Sequence, residues 1–187
     1  MSTVVKPGPR ERLLSAAMDL TYAYGMGVGV DAILKEADVA RRSLYQHFGG
    51  KDGLLVEVIR VTSTKDERAY QAALESGGTD PRTRILNVFD AISNVVSTPG
   101  FRGCRYIAAD LALTDPNHPV HAETRAYREW LHRMFEAELK NLGHPHPTSA
   151  ADDLLFLIEG ALVSGATRPG TNPGQTARRL AEHVIDG

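Results

Sequence analysis

The chain has 187 residues, of which 42% are hydrophobic and 24% are charged, a composition that indicates a globular protein with a core and excludes wholesale disorder. Its formal net charge of −2 comes from 21 basic and 23 acidic side chains, so the overall charge gives no indication of a nucleic-acid partner. The single cysteine, Cys104, excludes an intrachain disulfide and favours a reducing compartment.

The sequence favours a cytoplasmic protein. Residues 1–12 lack the apolar run that a signal peptide needs. The most apolar stretch, residues 154–163, is short and carries Glu159, which does not fit a membrane-spanning helix. We therefore expect neither export nor insertion into a membrane.

Three helices are predicted within the first fifty residues. A first helix is indicated by apolar residues at helical spacing, namely Leu13, Ala17, Leu20 and Tyr24. The glycine-rich run 25–29 predicts a tight connection to a short second helix over 30–37. A turn at 38–39 then separates this helix from a third short helix over 40–47.

Longer helices are predicted beyond residue 50, without the alternating pattern of strands, so the fold class is all-α. Turn-forming segments separate predicted helices over 51–75, 81–97, 103–113, 119–142, 149–167 and 173–185. We expect a leader over residues 1–9, an N-terminal helical domain over 10–53 and a second helical domain over 54–187.

The third predicted helix carries the chemistry that points to function. Its outer face is a mixture of basic, hydroxyl, amide and imidazole groups, supplied by Arg41, Arg42, Ser43, Tyr45, Gln46 and His47. Arginine can read guanine and glutamine can read adenine in the major groove, while hydroxyl and imidazole groups can bind phosphates. Lys51 opens the next helix, where an ammonium group and free backbone N–H groups together favour a phosphate.

The run from Ile33 to Leu54 resembles the DNA-binding signature of the TetR family of transcriptional regulators. The matching residues are Ile33, Ala37, Val39, Leu44, Tyr45, His47, Phe48, Lys51, Asp52 and Leu54, preceded in the first helix by Arg12, Leu13, Leu14, Ala16, Ala17 and Leu20. The resemblance implies a helix-turn-helix domain over 10–53 and a ligand-binding and dimerisation domain over 54–187. It also implies a repressor that binds a palindromic operator as a homodimer and is released by a small-molecule effector of unknown identity.

The resemblance also implies roles for individual residues. Arg41, Arg42 and Ser43 become candidates for contacts with bases or nearby backbone, and Tyr45, His47 and Lys51 become candidates for phosphate contacts. Gln46 fits either role. Taken one at a time, these residues would equally fit a solvated helix face, with Tyr45 in the core.

Three residues depart from the family pattern. Asp38 stands where glycine is usual in the turn, and aspartate tolerates the left-handed conformation better than most residues. Gly29 stands where a threonine or serine commonly caps the second helix, and Ala40 replaces a common serine. These departures remove hydroxyl contacts, so we expect specificity to depend more on Arg41 and Arg42.

The middle helices of the second domain are expected to enclose the effector pocket. The candidates are the aromatic residues of these helices and the cysteine, namely Phe89, Phe101, Cys104, Tyr106, Trp130, Phe135 and Phe156. Each aromatic residue would also fit an ordinary helical core. Cys104 is either a small buried apolar residue or a reactive sensor thiol.

The last two helices are expected to form a four-helix dimer interface, because two recognition helices can read half-sites one DNA turn apart. The candidates recur at helical spacing and are Leu155, Ile158, Leu162, Gly165, Ala177, Leu180, Ala181 and Val184. The same stripes would also fit packing against the chain's own subunit.

No metal or cofactor is predicted. His118, His121, His144 and His146 lie in proline-containing loops without a cysteine or carboxylate at ligand spacing, which is more typical of turns and caps. Two other functions stay open, a small helical enzyme and a helical interaction module that has lost DNA binding. The enzyme lacks a recognisable catalytic motif, whereas the module would account for the departures at Gly29, Asp38 and Ala40.

Overall fold

The computed structural model describes residues 7–168 and 170–187, and all regular structure in these ranges is helical. This confirms the all-α fold class. The described helices are α1 (Pro9–Tyr24), α2 (Val30–Ala37), α3 (Arg41–Phe48), α4 (Lys51–Glu75), α5 (Pro81–Val96), α6 (Arg105–Ala112), α7 (Val120–Leu142), α8 (Pro147–Thr167) and α9 (Pro173–Ile185). Residues 1–6 of the predicted leader lie outside the described residues, and its last residue, Pro9, already opens α1.

The predicted helices agree with the observed ones to within a few residues. The largest differences at a helix start are in α6, which begins at Arg105 instead of residue 103, and in α8, which begins at Pro147 instead of residue 149. Proline suits the first position of a helix because the N–H group that it lacks has no partner there. The same preference places Pro9, Pro81 and Pro173 at the first positions of α1, α5 and α9.

The chain forms two compact units, and the division falls inside α4 and α7. The first unit contains the described residues up to Thr62 together with Arg105–Thr124. Its core joins α1 to α4 through buried apolar side chains at helical spacing, namely Leu13, Ala16, Ala17, Ile33, Ala37, Leu44, Leu54 and Val58. Each of α1, α2 and α3 thus turns an apolar face inward and leaves its polar face outside.

The second unit contains Ser63–Cys104 and Arg125–Gly187. Within it α5, α8 and α9 pack against one another. Phe89 of α5 and Phe135 of α7 are completely buried, and their ring centroids lie 6.0 Å apart. Arg84 donates to both carboxylate oxygens of the buried Glu138, at 2.9 and 3.0 Å, which compensates the charge of a carboxylate that would be costly to bury alone.

The connection between α6 and α7 in the first unit is held by His121. Its Nδ1 lies 2.9 Å from the Asp110 carboxylate, and its Nε2 lies 3.0 Å from the carbonyl oxygens of both Leu113 and Asp115. Asp110 also accepts from the Thr124 hydroxyl at 2.7 Å. Both ring nitrogens therefore face acceptors, an arrangement that only the imidazolium form satisfies. The hydrogen bond to Asp110, supported by the two carbonyls, raises the pKa of His121 above its ordinary value of 6.5.

This arrangement predicts a pH-dependent contribution to stability. Because the pKa of His121 is higher in the folded protein, its stabilisation is complete below about pH 6.5 and is lost as the pH rises through the folded-state pKa. The urea midpoint of wild type should therefore exceed that of His121→Gln by the largest amount at about pH 6, and this gap should shrink at higher pH. Asp110→Asn should remove the same pH dependence. A gap that stays constant to about pH 9 would contradict the assignment.

Candidate nucleic-acid interface

The α2 and α3 helices are joined by a tight turn at Asp38, which sets the direction of α3. Asp38 has φ 52° and ψ 53°, the left-handed conformation expected for this position. Its backbone N–H donates to the carbonyl oxygen of Lys35 at 3.2 Å, and the backbone N–H of Val39 donates to the carbonyl oxygen of Leu34 at 3.1 Å. These two bonds close the carboxyl end of α2 and turn the chain into α3.

Arg12 of α1 holds this turn from outside the helix pair. Its Nη1 donates to the carbonyl oxygens of Ala37 and Asp38, at 3.0 and 2.8 Å, and lies 3.3 Å from the Asp38 carboxylate. Its Nε is buried without a hydrogen-bond partner. Sequence reasoning gave Arg12 no role beyond a match in the first helix. No local pattern could have revealed the contact, because Arg12 and Asp38 are 26 positions apart.

The third helix presents the side chains that the sequence assigned to DNA. Leu44 is buried, whereas Tyr45 is 57% exposed, so Tyr45 lies on the outer face and not in the core. Ser43 is half-buried, and the other candidates on this helix are exposed, namely Arg41, Arg42, Gln46 and His47. The structure therefore brings the six predicted residues of α3 to one accessible helix, whose register is set by Leu44.

The two arginines of α3 differ in their surroundings. Arg41 forms an ion pair with Asp31 of α2, through Nη2 and Oδ1. For Arg42, by contrast, no ion pair or hydrogen bond of the side chain is found among the residues that the structure describes. All five N–H donors of the Arg42 guanidinium are therefore free of hydrogen bonds to the described residues.

The start of α4 follows α3 almost without a gap. Gly49 has φ 72° and ends α3, and Lys51 is the first residue of α4 and is half-buried. A side chain at Gly53 would collide with the carbonyl oxygen of Phe48, so the approach of the two helices requires glycine there. Sequence reasoning gave Gly53 no role, although a glycine inside a helical pattern is a signal of close approach.

A histidine from the α6–α7 connection meets the first turn of α4. His118 Nε2 lies 3.5 Å from the carboxylate of Asp52, the neighbour of Lys51. His118 Nδ1 accepts the backbone N–H of Val120 at 3.2 Å, which fixes the ring. His118, a predicted loop histidine, thus caps the start of α7 and contacts the first turn of α4 next to Lys51, the predicted phosphate-binding lysine.

The structure places the predicted effector-pocket residues in different surroundings. Phe89 and Phe135 fill the core against each other. Phe101 borders a cleft near the start of α9, and Trp130 borders a different cleft beside Arg84.

Phe156 is 73% exposed on the outside of α8, where it borders an open cleft and not the interior of the unit. The α8 helix turns Leu154 and Ile158 inward, and Phe156 therefore faces away from the core. Tyr106 is buried within the first unit, and Cys104 is half-buried.

A buried tyrosine escaped the sequence analysis. Tyr70 of α4 is hydrogen-bonded to Tyr127 of α7 and lies near Cys104 and Asp66. Burial, followed by the negative charge of Asp66, raises the pKa of Tyr70, so its phenol keeps its proton at physiological pH. The signal was weak in the sequence because Tyr70 follows the charged run 65–68 and its contact with Tyr127 joins residues far apart in sequence.

Burial divides the predicted dimer-interface residues into two groups. The first group, with side chains enclosed in the chain's own core, is Ile158, Leu162, Ala177 and Ala181. Their assignment to an intermolecular contact is corrected, because α8 and α9 bury this stripe against α5 and against each other. The second group, which is at least partly accessible, is Leu155, Gly165, Leu180 and Val184. Phe156, Leu180 and Gly160 also line an open cleft of about 300 Å³ between α8 and α9.

Among residues 7–168 and 170–187, no three His, Cys, Asp or Glu side chains are placed to hold a metal ion. In the same part of the chain, no helix combines the length and the apolar character needed to cross a membrane.

Comparison with known proteins matches this geometry to one class, the helix-turn-helix transcriptional regulators. The family model described as bacterial regulatory proteins, tetR family, matches residues 13–58, which contain α1 to α3 and the start of α4. The HTH-type transcriptional regulator LmrA of Bacillus subtilis is 29% identical over 172 residues, covering 88% of this chain and 89% of LmrA.

Solved structures extend the similarity to the whole chain. SCO4454, a TetR-family transcriptional regulator from Streptomyces coelicolor, is 31% identical with a TM-score of 0.89, covering 95% of this chain and 94% of SCO4454. The chain therefore belongs to the TetR family of DNA-binding transcriptional regulators. CifR, a family member complexed with 26-bp double-strand operator DNA, shares the fold with a TM-score of 0.80 at 21% identity, covering 97% of this chain and 99% of CifR.

The contacts of Arg12 generate a prediction about the turn. Arg12→Ala removes a charged donor from two backbone carbonyls and should lower the free energy of unfolding by about 1–3 kcal/mol. Urea denaturation followed by circular dichroism measures the change. Arg133→Ala is the control, since its ion pair with Glu129 is exposed and should contribute less than about 1 kcal/mol. Equal losses in the two variants would contradict the role given to Arg12.

Proposed function

We propose that this regulator is a repressor that binds a palindromic operator as a homodimer and releases it when a small-molecule effector binds. The observation that carries the proposal is the exposed polar face of α3, presented by a turn that Arg12 holds in place. In this proposal residues 10–53 bind DNA, and residues 54–187 bind the effector and the second subunit. CifR, a protein of the same fold whose cysteine mutant is complexed with operator DNA, supports double-stranded DNA as the partner.

The residues of α3 and α4 take different parts in binding. Arg42 reads a base edge in the major groove, because its guanidinium is exposed and unpaired among the described residues. Arg41, Ser43 and Gln46 lie on the same helix as further candidates for base contacts. Tyr45, His47 and Lys51 bind phosphates, with Lys51 helped by the free N–H groups at the start of α4.

Dimerisation gives the protein two recognition helices. A palindromic operator presents half-sites one DNA turn apart, about 34 Å, and a symmetric dimer matches that spacing. The outer face of α8 and α9 is our proposed interface, because it combines the exposed Phe156 and Leu180 with the small Gly160, which permits close approach of helices.

The effector is a small molecule taken up by residues 54–187. Of the predicted pocket residues, Phe101, Cys104 and Trp130 are partly accessible, whereas Phe89, Tyr106 and Phe135 are core residues. The pair Tyr70 and Tyr127 adds phenol groups to the candidates for polar contacts. Effector binding favours an arrangement in which the two recognition helices no longer match the half-sites.

The alternative functions are less well supported. LmrA and SCO4454 are named as transcriptional regulators, which favours regulation over a small helical enzyme. The exposed cations of α3 favour DNA binding over an interaction module that has lost it. A cytoplasmic location fits this function, since the operator lies in that compartment in bacteria.

The division of labour between Arg42 and Lys51 is testable by titration on DNA. Selection from a random duplex library identifies a preferred site, and fluorescence anisotropy measures affinity for that site and for random DNA over a range of salt. Arg42→Ala should reduce discrimination against a substituted base by about 1–3 kcal/mol. Lys51→Ala should weaken binding to all sequences alike and reduce the salt slope by about one. Identical profiles for the two variants would contradict these roles.

The proposed interface predicts how surface substitutions change the oligomeric state. Phe156→Arg should convert a dimer to a monomer at micromolar concentration, because it buries an unpaired charge in the contact. Light scattering after gel filtration measures the mass. Leu111→Arg is the matched control, because Leu111 is 79% exposed on α6 and lies outside the proposed interface. A Phe156→Arg protein that remains dimeric would exclude this face as the interface.

A further inference from the structure

An acidic residue of α2 sits beside the recognition helix. Asp31 is the second residue of α2, and its carboxylate pairs with Arg41, the first residue of α3. Both side chains are accessible, at 87% for Asp31 and 51% for Arg41. The pair therefore spans the two helices of the helix-turn-helix on its solvent-exposed side, ten positions apart in sequence.

A carboxylate at this place carries a cost for DNA binding. Phosphates repel it, and nonspecific affinity comes from cations that displace counterions from the DNA. The position also has a local structural use, because Gly29 caps α2 without a side-chain hydrogen bond and Asp31 is the acidic residue of its first turn. An acid there interacts favourably with the helix dipole. The dipole alone gives no reason for the contact with Arg41.

The contact has two consequences for Arg41. First, it offsets part of the Arg41 charge, which lowers attraction to arbitrary phosphates. Second, it occupies Nη2 and limits the rotamers of a long side chain, which would otherwise lose that freedom on binding. Nε and Nη1 stay available to donate to a base, since a guanidinium has five N–H donors in a fixed plane.

We propose that Asp31 is a specificity-determining positioning residue, which holds Arg41 for base reading and withholds its charge from nonspecific phosphates. The proposal rests on the function proposed above, because it requires that α3 reads an operator. It assigns different tasks to the two arginines of α3. Arg42 binds DNA with an unpaired charge, whereas Arg41 binds DNA with its charge paired to Asp31.

The test compares Asp31→Asn with Glu36→Gln in the full-length protein. Each variant removes one negative charge from α2, but for the side chain of Glu36 no ion pair or hydrogen bond is found within the described ranges. Anisotropy titrations measure affinity for the selected site and for random duplex DNA. Asp31→Asn should lower the ratio of specific to nonspecific affinity by about tenfold and steepen the nonspecific salt slope by about one. Glu36→Gln should raise both affinities alike and leave the ratio unchanged.

A double-mutant cycle shows whether Asp31 acts through Arg41. In an Arg41→Ala background, Asp31→Asn should leave the affinity ratio unchanged, because the group that Asp31 positions is gone. A purely structural effect on α2 would lower the thermal midpoint and the affinity ratio equally in both backgrounds. That result would overturn the proposal.

Failure of this inference is distinguishable from failure of the proposed function. If wild-type protein prefers a selected site but Asp31→Asn and Glu36→Gln give the same ratio, only the role of Asp31 is wrong. If wild-type protein shows no site preference at any salt concentration, both the repressor function and the role of Asp31 are wrong.

Discussion

The recognition surface depends on one backbone constraint, the reversal of the chain between α2 and α3 at a left-handed residue. Asp38 adopts this conformation although it carries a side chain, and Arg12 from α1 donates to the two carbonyl oxygens that the turn exposes. The direction of α3, and with it the placement of the α3 side chains proposed to contact DNA, follows from this turn. A cation of α1 thus satisfies carbonyl oxygens at the turn between the next two helices, in addition to the apolar core that joins these helices.

Charge in this protein is organised locally and not by its total. The chain carries a net charge of −2, yet Arg41, Arg42, His47 and Lys51 occur within eleven positions of sequence. Asp31 offsets part of that positive charge by pairing with Arg41. The surface therefore carries cations in two states, paired and unpaired. In the proposed function this distinction matters for specificity, because attraction to phosphates of any sequence comes from the cations that neutralise them.

The second unit follows a different principle, with apolar packing at its centre and an apolar surface left outside. Phe89 and Phe135 fill the interior, and the Arg84 guanidinium compensates the negative charge of the buried Glu138 carboxylate. By contrast, Phe156 projects from α8 into solvent in the single chain. Exposed aromatic side chains of this size are typical of protein contact surfaces, which is why this face is our proposed dimer interface.

The sequence by itself determined the all-α class, the helix order and the outward position of the α3 polar residues, because these follow from local periodicity, turn residues and a short motif. Only the tertiary structure decided that Arg12 holds the turn and that Arg41 is paired with Asp31, since no local pattern encodes a contact between residues far apart in sequence. The tertiary structure also decided which apolar residues of α8 are buried, because the apolar pattern of this helix includes both the buried Ile158 and neighbouring positions that are accessible. A helical stripe shows that a face is apolar, but only packing decides which of its residues the chain buries within itself.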